Sequence, residues 1–412
     1  MKNPMEKLRL FAQTTPITFE SWILSFICIV LIRIFFEQYS SYLPGRFALS
    51  DFPTIVHYGT AYLAVIVSLM IILKFFAKTS FQEIAVISIF GFFIILIPPI
   101  IDLFSGGVGG HVMSYIFVPG KELLIRFLTF FGGPTASGGI TLGMKIEIIL
   151  GLIFCYLYVY QTTKSKARAI GVVAVIYSLL FFLAAMPSFI VLFLPHENGI
   201  SATFLQSMMS SRVIPNHIHP NFSATNTGLL DLAFNKIMLG VSVVVAMLAT
   251  ALLFFLGARK KLIAVIKNFR PERIFYFVLL FTFGFVLART WSFNWIDIEG
   301  YLLAIIALIC AGVFSICQND INDEKIDAIS NPHRPLISKD LSKNDMEIIS
   351  KIFLTFALLS AYASSHYVLF FTFLLIFIYF VYSNPPLRLK RFRVLNSGLI
   401  SLACTVTVLE GF

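Results

Sequence analysis

Asn319–Leu336, NDINDEKIDAISNPHRPL, follows directly on an apolar stretch, residues 298–318, that is long enough to cross a bilayer. That junction decides the fold. About 20 apolar residues cross the hydrocarbon as a helix, and the polar run behind them marks the membrane boundary. On a helix, Asp320, Asp323 and Asp327 stand at i, i+3 and i+7. At about 100° per residue they share one face, and Glu324 joins them. Carboxylates crowded on one face repel each other unless a cation holds them. With the turn Pro332–Pro335, Pro-x-Arg-Pro, behind them, they are read as a site for magnesium and a diphosphate.

The rest of the chain is apolar. Of its 412 residues 58% are hydrophobic and only 13% charged, where a soluble domain carries roughly 25% charged residues. Apolar windows of membrane length fall near residues 18–36, 54–76, 82–104, 140–162, 169–194, 236–258, 274–290, 298–318, 346–364, 366–383 and 395–411. Long unalternating apolar runs exclude a β-barrel. The expected fold class is all-α, a polytopic transmembrane helical bundle of about eleven spans. With the N-terminus cytoplasmic, most lysines and arginines fall in inner loops, including Lys2, Lys7, Arg9, Lys164, Lys166, Arg168 and the cluster Arg259–Arg273. The net charge of +10 is then a matter of topology and anionic lipid, with no nucleic acid implied. The five cysteines lie in or at spans without a CxxC pair, and are read as small packing residues. The N-terminus lacks a signal-peptide pattern, so the first span is expected to stay as an anchor.

A basic loop, ARKKLIAVIKNFRPER (Ala258–Arg273), divides the chain. The expected organisation is a six-span module over 1–258, a basic cytoplasmic linker over 259–273 and a second membrane domain over 274–412. In the first half, Asp102 follows Pro98-Pro99 and is read as a cap of its span. Arg33 is read as snorkelling to the surface. Glu147 is read as pairing with a neighbouring helix or with Lys145. His217-x-His219 lacks a third metal ligand. Asn221-Phe222-Ser223 is a sequon, and Lys121–Phe131 an interfacial amphipathic helix. None of these assigns a function to the module.

Two motifs in the second half carry a resemblance. One is N-D-x-x-D-x-x-x-D with P-x-R-P-L: Asn319, Asp320, Asp323, Asp327, Pro332, Arg334, Pro335, Leu336. The other is Y-S-x-P-P-L-R-L-K-R, Tyr382–Arg391. Each closes a span at its inner end, one helical hairpin apart. From about residue 271 the chain resembles the UbiA family of intramembrane prenyltransferases. The resemblance implies Mg2+-dependent transfer of a prenyl or polyisoprenyl group, within the membrane, from a prenyl diphosphate to an aromatic or lipid-type acceptor. It implies Asp320, Asp323 and Asp327 as catalytic metal ligands. Asn319, Arg334, Lys390, Arg391 and Tyr382 would serve the diphosphate, all on the cytoplasmic side.

The chemistry of the residues agrees. Prenyl tails need apolar walls, which a chain with 45 phenylalanines supplies. Diphosphates need a hard cation with basic donors, Arg334 as a fork and Lys390 as a point charge. Asn319 either orients a carboxylate or ligates metal. Tyr382 either lines the cavity or is an interface tyrosine. Family members have nine helices and a second D-x-x-x-D motif. Here five helices are covered and no such motif follows Leu336. The expectation is a prenyltransferase domain truncated after its fifth helix, inactive alone, its other half supplied by a missing segment or a second polypeptide. The competing reading is a membrane transporter or lipid-handling protein carrying a degenerate prenyltransferase remnant.

Overall fold

The computed structural model describes residues 4–41, 52–105, 115, 116, 118, 120–134, 140–193, 227–288 and 295–412. Among these, 11 helices are long and apolar enough to cross a membrane, as the apolar windows predict. The chain divides into two compact units. The first comprises Met1–Met238 and Leu248–Leu253, the second Leu239–Met247 and Phe254–Phe412.

The first unit begins with α1 (Pro4–Thr14), α2 (Phe19–Ser41) and α3 (Phe52–Ala77). Next, α4 (Phe81–Phe92) passes through a short 3-10 turn into α5 (Ile97–Ser105). The unit continues with α6 (Gly120–Leu128), α7 (Leu142–Thr163), α8 (Lys166–Ala184) and α9 (Met186–Phe193). Its core gathers Ile84, Ile87, Tyr158, Val159, Ala169 and Val172, all essentially without exposed surface. Among them Ala169 is small, which lets membrane helices approach closely. Phe75 and Phe104 stay exposed, the expected orientation for side chains that meet lipid rather than water.

α10 (Thr227–Lys267) bends at Ala258, where φ is −146°. The segment after the bend lies within the expected linker and is helical, and Ala264 and Val265 pack with Val313, Cys317, Leu336, Leu341 and Met346. Ala264 and Val265 are buried there, while Lys260, Ile263, Ile266 and Lys267 stay exposed.

The second unit holds α11 (Pro271–Ala288), α12 (Trp295–Ser330), α13 (Lys343–Ser364), α14 (His366–Ser383) and α15 (Arg393–Gly411). Ala304, Ala307 and Ala311 leave the surface of α12 shallow and are fully buried. α11 and α15 cross at glycines. A Cβ on Gly284 would stand 2.0 Å from the Val408 carbonyl oxygen, and one on Gly411 would stand 2.0 Å from that of Phe281. Only hydrogen fits at either point. α13 starts on a capping box formed by Ser342 and Asp345. Outward, Phe370, Phe373 and Phe377 expose one stripe of α14.

The helices alternate in direction. The starts of α11, α13 and α15 therefore gather with the ends of α12 and α14 at one end of the bundle. The 36 residues of α12 make a rod about 54 Å long, against about 30 Å of hydrocarbon. The acidic stretch is the continuation of this span and never leaves the helix.

Candidate active site

Because Asn319–Ser330 stays helical, the acidic side chains are fixed in azimuth as well as height. With Asp320 as zero, Asp327 falls at about −20°, Asp323 at about −60°, Asn319 at about −100° and Glu324 at about +40°. The protein lies on the negative side of that fan. Glu324, at the positive edge of the face, is accordingly exposed. The remaining four divide into two pairs.

Asn319 and Asp323 meet the second motif. At Arg388 the backbone takes φ +40° before a 3-10 turn, Leu389–Arg391, and the following side chains turn back onto α12. Lys390 Nζ donates to Asn319 Oδ1 at 2.8 Å and to Asp323 Oδ2 at 2.5 Å. Arg388 pairs with Asp323 Oδ1. Ser383 Oγ donates to Asn319 Oδ1 at 3.1 Å, and Asn322 hydrogen-bonds Asn384. These contacts hold the end of α14 against α12.

Asp320 and Asp327 face the other way. Asp320 is 1% exposed. Its Oδ1 accepts from Arg270 Nη2 at 2.6 Å and Arg334 Nη1 at 2.8 Å, and its Oδ2 from Asn268 Nδ2 at 2.8 Å. Arg334 also pairs with Asp327, whose Oδ1 accepts from Asn331 Nδ2 at 3.1 Å. Leu336 anchors the turn in the core, which returns Arg334 onto the helix it follows. Burial lowers the pKa of Arg270 from its usual value, while Asp320 raises it; a guanidinium stays charged in either case.

Asp320, Asp323 and Asp327 were expected as metal ligands. Among the described residues, no group of three or more His, Cys, Asp or Glu side chains is placed to hold a metal ion. The physical reason is the split just described: the carboxylates turn to different basic partners. The fit to magnesium is therefore narrower. Asn319 Oδ1 and Asp323 Oδ2 already converge on one positive charge, the Lys390 ammonium. Such an oxygen pair suits a hard cation whose other ligands are phosphates and water.

Beside Asn319 opens a cavity of about 540 Å³ between α11, α12, α14 and α15, within the usual range for a small-molecule site. Phe277, Leu308, Ile316, Ile378, Leu399 and Ala403 form apolar wall, and Tyr276, Tyr379 and Tyr382 add aromatic surface. Arg270, Glu272 and Arg273 stand at its polar rim. Tyr382, left open between cavity and interface, lines the cavity. Arg391, expected at the diphosphate, is exposed and makes no ion pair among the described residues; the 3-10 turn aims Lys390 inward and Arg391 out. Sequence reasoning missed Asn268 and Arg270. Their signal is the R-P that opens α11, hidden within a run of lysines and arginines.

In the first unit, Arg33 is 3% exposed and pairs with Glu37 at 2.6 Å. It does not reach the surface as a snorkelling side chain would, because its counterion lies one turn along the same helix. Asp102 does act as a cap, though of another helix: its Oδ1 accepts Gly143 N at 2.8 Å, at the start of α7. Lys145 donates to the Gly133 carbonyl rather than to Glu147. Glu147 lies within electrostatic reach of the Arg33–Glu37 pair. His217, His219 and Asn221 lie outside the described residues.

Residues 277–412 match the family described as the UbiA prenyltransferase family. The chain is similar to naringenin 8-dimethylallyltransferase 2, chloroplastic, of Sophora flavescens, with 32% identity over 144 residues. That match covers 34% of this chain and 35% of the relative, so the chain spans about a third of the relative's length. No solved structure matches the chain.

Proposed function

We propose that the second unit, whose residues 277–412 match the UbiA prenyltransferase family, binds a prenyl diphosphate with magnesium and serves transfer of the prenyl group to an aromatic or lipid-type acceptor. The observation that carries this is the meeting of Asn319, Asp323 and Lys390 beside the apolar cavity.

Charge counting supports the cation. Asp320, Asp323 and Asp327 face Arg270, Arg334, Arg388 and Lys390, a surplus of one positive charge. A prenyl diphosphate brings about three negative charges. One divalent ion then balances the site. Asn319 and Asp323 would hold it, and it would supply charge neutralisation of the leaving diphosphate.

In this reading Lys390 and Arg388 move from the Asp323 carboxylate toward the diphosphate as it arrives. The tail lies in the cavity along Phe277, Leu308, Ile378 and Leu399. When the allylic C–O bond breaks, its electron pair leaves on the diphosphate. The acceptor's electron-rich carbon or oxygen bonds to the prenyl carbon and then loses its proton. Tyr276, Tyr379 and Tyr382 exclude bulk water and face the developing cation with their rings. The loops that carry this chemistry lie on the cytoplasmic side in the orientation that basic residues favour.

Binding of farnesyl diphosphate to the purified protein in detergent tests the reading. Affinity should rise at least about tenfold with Mg2+ and fall by a similar factor in Asp323→Ala. Equal affinity with and without Mg2+, and in the variant, rejects it.

A further inference from the structure

We propose that Arg270 is a diphosphate-binding residue of this site and that Asp320 positions it, together with Arg334, instead of holding metal. The proposal rests on the diphosphate reading above and assigns roles within it.

Asp320 has little left to offer a cation. A carboxylate has about four lone-pair sites. Two guanidiniums occupy Oδ1 and the Asn268 amide occupies Oδ2, at 2.6, 2.8 and 2.8 Å. The side chain is 1% exposed, so no open face remains for a hydrated ion. Asp323 differs: it is 13% exposed and shares the Lys390 ammonium with Asn319, which lines the cavity.

The guanidiniums, by contrast, have donors to spare. Each carries five N–H groups in a fixed fork. The contacts described use one nitrogen of Arg270, Nη2, and one of Arg334, Nη1. Arg270 keeps 19% of its side-chain surface open and lines the cavity whose wall includes Asn319. Two arginines sharing one carboxylate oxygen would repel each other without it. Asp320 makes their proximity tolerable and leaves Arg270, on the cavity wall, with donors that its contact to Asp320 does not use. The backbone is bent to achieve this: Arg270 has φ +46°, in the left-handed region that a side chain rarely adopts. The turn between α10 and α11 brings the side chain across to α12.

The test separates a positioning carboxylate from a metal ligand. Inorganic pyrophosphate is titrated into the full-length protein, first in EDTA and then with increasing Mg2+. Arg270→Gln and Asp320→Asn should each weaken pyrophosphate binding in EDTA about tenfold, the loss expected for a charge-assisted donor. The Mg2+ concentration for half-maximal effect should stay within about twofold of the parent for Asp320→Asn. Arg270→Lys, which keeps the charge without the fork, should recover part of the loss. The proposal is overturned if Asp320→Asn binds pyrophosphate normally in EDTA and requires more Mg2+, or if Arg270→Gln binds normally. Should Asp320→Asn fail to fold, Arg270→Gln, at the cavity rim, decides alone. A parent protein that binds no pyrophosphate in either condition removes the diphosphate reading itself. Parent binding with unchanged variants removes only the roles assigned here.

Discussion

Gly284→Ala adds one methyl group where α11 meets α15, and its cost can be worked from the crossing. The new Cβ would stand 2.0 Å from the Val408 carbonyl oxygen, 3.0 Å from its carbon and 3.1 Å from Phe412 N. An ordinary contact begins near 3.4 Å, so the oxygen is closer than that by about 1.4 Å. It belongs to a helix backbone and has no rotamer with which to escape. The helices must separate, and Phe281, 2% exposed at the centre of this packing, loses contacts on both sides. Overpacking of this kind costs about 1–3 kcal/mol. At roughly 2–4 °C per kcal/mol for a unit of this size, the melting temperature in detergent should fall by several degrees. Gly411→Ala should cost a similar amount, because its Cβ would stand 2.0 Å from the Phe281 oxygen. Both substitutions prise apart the same crossing, so the double variant should lose clearly less than the sum. Gly59→Ala in α3 is the control: nothing lies within 4 Å of its added Cβ, and alanine favours the helix. A Gly284→Ala protein that melts within about 1 °C of the parent, or a strictly additive double variant, would show that the crossing is looser than the distances require.

Two other substitutions probe polar contacts of the second unit, both read by thermal unfolding in detergent. Thr372→Val removes the hydroxyl that donates to Glu410 Oε1 at 2.6 Å, while Glu410 Oε2 already has no hydrogen-bond partner among the described residues. It should cost about 1–3 kcal/mol, and equal stability would mean that another donor reaches this buried carboxyl. Lys261→Ala breaks the 2.7 Å pair with Asp345. The lysine side chain is 45% exposed, so the change should stay within about 0.5 kcal/mol, and a larger loss would contradict the view of this pair as a surface contact.

Apolar length made the eleven spans legible, since a bilayer demands about 20 such residues whatever they pack against. The acidic helix was legible because i, i+3, i+7 spacing has a geometric meaning in any context. The division of its carboxylates was not. Asp320 and Asp323 differ by only about 60° in azimuth, and which neighbour each meets depends on loops returning from Leu336 and Arg388. Asn268 and Arg270 escaped notice for a related reason. A run of basic residues at a membrane boundary is fully accounted for by topology, so one member with a partner inside the protein leaves no mark in composition. Arg33 shows the reverse error: an arginine in an apolar span suggests a surface-seeking side chain until its glutamate, four residues on, is seen to be buried with it.

The unbroken length of α12 makes it a ruler as well as a support. The same rod that seats Ala304, Ala307 and Ala311 in the bundle carries Asn319, Asp320, Asp323 and Asp327 beyond it. Deleting one residue between these groups would turn every carboxylate by about 100° and lower it by about 1.5 Å. Asp323 would then leave Lys390, and Asp320 would leave Arg270. Substitutions along residues 312–318 can be absorbed by local repacking, whereas changes in their number cannot. The spacing between the alanine face and the aspartates is as much a part of the site as the side chains themselves.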